Sequence, residues 1–190
     1  NLVNNEYLTQ KDIDILKQKV SYVDYEYIKS QKESLLRKAS QAFFYKNKEK
    51  KEFQKFQKDN QFWLEDYALF LALNKKFKGR MWNTWQKEYK FRNKKFIEEA
   101  KKVYQEEYLY ESFIQYYFYK QWKTLKDYAN KKGIKIIGDL PIYAATHSAD
   151  TWQNPKLFCF DKHLKIKSVA GCPPDYFSKT GQLWGNVLYN

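Results

Sequence analysis

Residues 170–189 hold the densest collection of groups able to recognise a ligand. The stretch reads Ala-Gly-Cys-Pro-Pro-Asp-Tyr-Phe-Ser-Lys-Thr-Gly-Gln-Leu-Trp-Gly-Asn-Val-Leu-Tyr. Asp175, Tyr176, Phe177, Gln182, Trp184 and Asn186 stand between its glycines and prolines. Flat aromatic rings offer apolar faces on which the C–H face of a sugar can lie, and carboxylates and amides pair with its hydroxyls. The mixture suits a carbohydrate site, and a packed surface loop uses the same residue types. A further carboxylate, Asp139, follows the short β-rich run Ile134-Lys135-Ile136-Ile137-Gly138. The C-terminal end of a parallel strand is where barrel enzymes place functional groups; capping and turn formation also put Asp there. His147 and His163 are too few for a metal cluster, and Cys159 and Cys172 lack ligand spacing. No metal and no cofactor is expected.

The elements that must position these groups divide near Gly133. Residues 1–132 contain one glycine, Gly79, and no proline, whereas 133–190 contain the other five glycines and all four prolines. The first part reads as helical and the second as strand and loop. Thr9 followed by Asp12 resembles a capping box for a helix of about 10–20. Ile28, Leu35, Ala39, Ala42 and Phe43 recur at helical steps and predict a helix from Asp24 to Lys46. Phe62–Leu73 is apolar nearly all round, which predicts a buried helix. A polar helix at about 93–107 and a longer one at about 108–131 follow. The longer one carries Phe113, Tyr116, Tyr117, Trp122, Leu125 and Ala129, with Gly133 as its terminating cap. Ile134–Asp139 is read as a strand. No regular element is expected over 170–189, because Pro173 and Pro174 stiffen the chain while Gly171, Gly181 and Gly185 permit tight bends.

Composition narrows the class. The chain has 190 residues, 43% hydrophobic and 19% aromatic, enough apolar surface to offset ordering entropy, so disorder is not expected. Two cysteines exclude a disulfide scaffold. No apolar run is long enough for a membrane span. The chain opens at Asn1 with no signal-peptide pattern, and two thiols suit a reducing compartment, so a cytoplasmic setting is expected. The net charge of +13 invites a nucleic-acid reading. Yet 32 of the basic residues are Lys and only Arg37, Arg80 and Arg92 are Arg, the side chain that base and phosphate readers favour. The lysines are interleaved with acids, as at Lys46–Lys51 around Glu49, in the manner of solvated helix faces. Codon bias towards Lys, Asn, Tyr, Phe and Ile explains much of the excess.

Three segments carry a resemblance. Gly138-Asp139-Leu140-Pro141-Ile142-Tyr143, Ser148 to Phe158, and Pro173 to Tyr189 closely resemble the 4-alpha-glucanotransferases, the amylomaltase or disproportionating-enzyme family (glycoside hydrolase family 77). The helical half agrees through Phe62–Ala68 and Gln115–Trp122. The resemblance implies a retaining enzyme on a (β/α)8 barrel that transfers α-1,4-glucan segments to sugar acceptors. Retention uses a carboxylate nucleophile and an acid/base carboxyl about 5–5.5 Å apart. The family's Arg-x-Asp-His and Ala-Glu-Asp-Leu-Gly motifs, which supply these, do not occur in residues 1–190. The chain thus resembles an internal fragment: a mainly α structure with a small α/β part, comprising a helical insertion (1–132), one barrel strand (about 134–139) and its substrate loop. It should hold no catalytic residue and be inactive alone. By resemblance, Asp139 supports the nucleophile region through hydrogen bonds. Asp175, Tyr176, Phe177, Gln182, Trp184 and Asn186 match the loop that covers the glucan, with Tyr176 and Phe177 at its tip and Trp184 lining the cleft. Three departures stand out. Val187 replaces a usual Pro, Asn190 replaces a usual Asp, and His147 replaces an acidic residue in Ala144-Ala145-Thr146-His147-Ser148. His147 is read as a loop residue.

The expected partners are α-1,4-glucans, with no nucleic acid and no membrane. Two other readings are a non-catalytic glucan-binding module and a basic helical nucleic-acid binder, the latter distinguished by salt-dependent affinity without glucan affinity. A barrel strand buries both faces, so exposed apolar surface near Ile136 and Ile137, and self-association through it, are also expected.

Overall fold

The computed structural model describes residues 2–17 and 22–190. Among the described residues the regular structure comprises eight α-helices, two short 3-10 helices (Trp82–Thr84 and Pro155–Leu157) and one two-stranded sheet: α1 Gln10–Asp14, α2 Tyr25–Lys46, α3 Lys50–Asp59, α4 Gln61–Lys76, α5 Lys87–Lys90, α6 Lys94–Val103, α7 Gln105–Lys131, α8 Ala149–Gln153, β1 Val169–Cys172 and β2 Gln182–Val187. The capping box at Thr9 is formed: Asp12 N–H donates to the Thr9 hydroxyl and the Asp12 carboxylate accepts from Thr9 N–H. The helix it starts ends at Asp14, and residues 18–20 of the expected span lie outside the described residues. Asp24 caps α2 by accepting from Tyr27 N–H. A left-handed Asn47 closes the same helix. Helix α3 has no counterpart in the sequence reading. The expected 93–107 helix stops at Val103, and α7 begins two residues later with Glu106 and Glu107 in its first turn, where carboxylates favour a helix N-terminus.

Helices α4 and α7 form the most extensive helix pair. On one side Tyr7, Ala39, Phe43, Phe53, Phe113, Tyr116 and Tyr117 make an aromatic core between the N-terminal segment, α2, α3 and α7. On the other, Leu69, Phe70, Leu73, Phe77, Trp82, Trp85, Ile97 and Trp152 pack together. That second core crosses the Gly133 boundary, because Trp152 comes from the strand-and-loop part. Phe62 is an exception to the expected all-round burial of α4: it sits in the first turn and is 78% exposed. Ion pairs tie the helices outside the cores. Arg37 donates to both Glu107 oxygens at 3.1 and 2.7 Å, and its guanidinium lies over Tyr110.

Gly133 ends α7 as expected. Its φ is +74°, its N–H reaches Asn130 O, and Ile134 N–H reaches Ala129 O, the paired bonds of a Schellman motif. The next residues differ from the reading. Residues 134–140 make no ladder hydrogen bonds among the described residues and form no strand. Strand pairing requires a neighbour's backbone groups, and among the described residues none pairs with this run. Ile137 is 93% exposed, and Leu140 and Ile142 are also solvent-facing. The second half of α7 also exposes apolar side chains, Trp122 and Leu125 among them.

Candidate functional site

The stretch expected to be irregular is a hairpin. β1 and β2 pair antiparallel with Cys172 opposite Gln182, Gly171 opposite Leu183 and Val169 opposite Val187, with a bulge between Val169 and Gly171. Close backbone approach explains two of its glycines. A Cβ at Gly171 would stand 2.5 Å from Gln182 O, and one at Gly181, where φ is +73°, would stand 2.6 Å from Cys172 O. Pro173–Gly181 is the connecting loop. Inside it the Asp175 carboxylate accepts from Phe177 N–H at 2.9 Å and Ser178 N–H at 2.7 Å, a local turn that commits one oxygen and leaves the other to solvent. The turn lifts Tyr176 and Phe177 away from the body. They are 96% and 90% exposed and meet edge to face at 5.6 Å.

On β2, Gln182 and Trp184 share a face, as alternate strand residues must. Trp184 Nε1 donates to Gln182 Oε1 at 3.0 Å, which fixes the indole while leaving it half exposed. Tyr143 lies 6.1 Å from the Trp184 ring and stacks on Tyr189 at 6.3 Å with 17° between planes. Asn186 Nδ2 donates to Ala144 O at 3.1 Å, so Asn186 holds the 143–144 segment beside the indole. The structure therefore brings Gln182, Trp184 and Asn186 together. Tyr176 and Phe177 stand apart at the loop tip. Asp139 is exposed and makes no hydrogen bond among the described residues. Tyr143 and Tyr189 were missed by the site reading. Each closes a motif that was read as a block, and only the fold shows that the two ends meet.

One residue, Thr146, ties the hairpin to the helical body through its hydroxyl and its backbone carbonyl. Thr146 Oγ1 donates to Gly185 O at 3.0 Å and accepts from Val187 N–H at 2.9 Å, while Thr146 O accepts from Trp82 Nε1 at 3.0 Å. His147 continues the lock. Its Nδ1 accepts from Trp82 N–H at 3.2 Å and its Nε2 meets Asn74 Oδ1 at 2.9 Å. Those partners require a neutral ring with the proton on Nε2. Burial against Phe70 and Trp85 lowers its pKa below the usual histidine value. His147 is thus a structural loop residue, as expected. The unfolded chain binds this proton more readily, so His147 contributes stability above about pH 6.5 that is lost as the pH falls below it. Glu111 acts in the opposite sense, because burial, and next the Glu107 charge, push its pKa up to about 7. Its folded carboxyl takes up a proton first, so its contribution grows as pH falls from about 7 to 4.5. The difference between the parent and His147→Gln isolates the histidine. Urea unfolding should show the parent losing stability relative to the variant between pH 6.5 and 5. Parallel curves would remove His147 from the account.

Among the described residues, no group of three or more His, Cys, Asp or Glu could hold a metal ion, and no helix is long and apolar enough to cross a membrane. Cys159 and Cys172 are unpaired thiols.

Comparison with known proteins bears on this geometry. The sequence model of a family described as 4-alpha-glucanotransferase matches residues 2–190. A 4-alpha-glucanotransferase of Clostridium butyricum is 49% identical over 169 residues, covering 88% of this chain and 34% of the relative. One from Aquifex aeolicus is 40% identical over 194 residues, covering 100% of this chain and 39% of the relative. The structure of an amylomaltase from Streptococcus agalactiae in complex with acarbose superposes with a TM-score of 0.91 at 33% identity, again over 100% of this chain and 39% of the other. The chain spans 34–39% of the length of these relatives.

Proposed function

The chain belongs to the 4-alpha-glucanotransferase family, and from that premise we propose that it supplies the helical body and glucan loop of a retaining enzyme that transfers α-1,4-glucan segments between sugar chains. The observation that carries the reading is the half-exposed Trp184, oriented by Gln182 and bordered by Tyr143 and Tyr189. An indole held in place loses little freedom when a sugar stacks on it. Tyr176 and Phe177 would close over the chain from the loop tip, Asp175 and Asn186 would meet hydroxyls, and Asp139 would steady the nucleophile region. The nucleophile and acid/base carboxylates of such an enzyme have no counterpart motif in residues 1–190. The 190 residues alone should therefore bind glucan weakly and transfer nothing. The structure of the amylomaltase in complex with acarbose supports sugar recognition on this scaffold, and the two unpaired thiols suit a cytoplasmic setting.

Titration of the 190-residue chain with maltoheptaose, followed by tryptophan fluorescence, tests the reading. A saturable change with a Kd in the range of about 1 mM is expected, and Trp184→Ala should abolish it. An undiminished signal in that variant would overturn the site assignment, and disproportionation of maltotriose by the isolated chain would overturn its inactivity.

Residues 134–140 take the place of a barrel strand in this reading. Its exposed Ile137, with Leu140 and Ile142, would self-associate in the isolated chain. Light scattering should show concentration-dependent oligomers that Ile137→Lys dissolves. A monodisperse parent at 10 mg/ml (roughly, in the range where weak association shows) would count against it.

A further inference from the structure

We propose that the helical body carries a second glucan-holding groove, lined by amides and formed by α2, α3 and α7, none of which contributes a residue to the hairpin site. The inference rests on the glucan reading above. Two hollows of about 450 and 390 Å³ adjoin and share Phe44, Leu109 and Gln105 as common wall. One runs towards Arg37 and the other towards Asn47. Ten residues of helix separate those ends, about 15 Å at 1.5 Å per residue. The shape suits a linear oligomer and is longer than a single sugar needs.

The lining has a consistent chemistry. Gln41, Gln54, Gln57 and Gln105 converge on the groove, and none has a side-chain hydrogen bond among the described residues. A primary amide donates and accepts at once, as a hydroxyl does, so a row of uncommitted amides matches a polyol. Phe44 and Leu109 are half-buried and supply an apolar floor. Charge supports a neutral occupant. The chain carries +13, yet the groove has only Arg37, already committed to Glu33 and Glu107, and the opposing pair Lys50 and Glu106. An anionic ligand finds no surplus positive charge here.

The test uses amide and indole NMR shifts of the 190-residue chain with maltoheptaose as the probe. Saturable shifts at Phe44 and Leu109 are expected. The triple variant Gln41→Ala, Gln54→Ala, Gln105→Ala changes only exposed side chains and should raise the groove's Kd at least about tenfold, in line with loss of several hydrogen bonds. Trp184→Ala should leave the groove's affinity unchanged. Shifts confined to Trp184 and its neighbours would overturn the groove and leave the hairpin reading intact. No shift at either place would overturn both. Shifts at Phe44 and Leu109 with an uncharged peptide and not with maltoheptaose would also overturn the groove.

Discussion

Replacing Glu49 by Ala should lower the stability of this chain by about 3 kcal/mol, the scale for stripping a buried acceptor from a hydrogen-bonded cluster. The carboxylate is only 13% exposed. It accepts from Asn5 Nδ2 at 2.6 Å, Tyr7 Oη at 3.3 Å, Tyr117 Oη at 2.6 Å and Tyr116 Oη at 2.8 Å, and pairs with Lys120. Three sequence-distant pieces, the N-terminal segment, the start of α3 and the middle of α7, meet on this one side chain. Its removal leaves the buried Tyr116 and Tyr117 hydroxyls without this acceptor, while the part-exposed Lys120 turns to water. Burial resists ionisation of Glu49, but Lys120, Tyr117 and Tyr116 outweigh it and hold its pKa at about 2. Burial, and then the Glu49 charge, push Tyr7 up to about 12. Because the folded carboxyl is depressed, its stabilisation is complete above about pH 4.5 and is lost as the pH falls towards 2. A melting temperature about 6–12 °C below the parent is expected, with a flattened acid limb. A variant melting within about 2 °C of the parent would mean the cluster holds nothing.

Trp152→Ala should cost more, about 3–5 kcal/mol by the scale for emptying a buried aromatic site. Trp152 is fully buried among Phe70 and Trp85 at 5.8 and 6.0 Å, its Nε1 donates to Tyr89 O at 2.9 Å, and the Arg92 guanidinium lies 4.2 Å from its ring. Arg92 in turn pairs with Asp66 at 2.6 Å. The substitution opens a cavity and removes the surface on which that ion pair rests. Total stabilities lie near 5–15 kcal/mol, so the loss consumes a large part of the margin. Trp152→Phe keeps most of the packing and should recover more than half of the loss. Chemical denaturation of the three proteins measures both, and equal losses for Phe and Ala would show that the indole N–H, not packing, carries the effect.

Local signals were legible and non-local ones were not. The α2 stripe, the Thr9–Asp12 box and the Gly133 cap each depend on residues within one or two turns, and all three formed. Helix α3 went unread because Phe53 and Phe56 are its only large apolar residues in a Lys- and Gln-rich run. The hairpin was hidden by Pro173, Pro174 and the glycines, which dominate the local reading although they lie mostly in the loop and at points of close approach. Residues 134–140 failed the other way. Their β-branched composition is that of a strand, but pairing is a property of neighbours. Glu49 read as one charge in an interleaved run, since its partners lie as far off as Lys120. The loop aromatics and amides stand out in the sequence as residue types able to meet a sugar, and the way Trp184 is propped by Gln182 and flanked by Tyr143 emerges only from the fold.

The Thr146 lock also bears on assembly. Thr146 joins Trp82 across 64 residues and Gly185 across 39, and within the helical body Arg37 joins Glu107 across 70. Closing long loops costs entropy before any contact repays it. The hairpin therefore gains this anchorage only where the helical body presents Trp82, so the placement of the strand that bears Trp184 depends on the fold of residues more than a hundred positions before it.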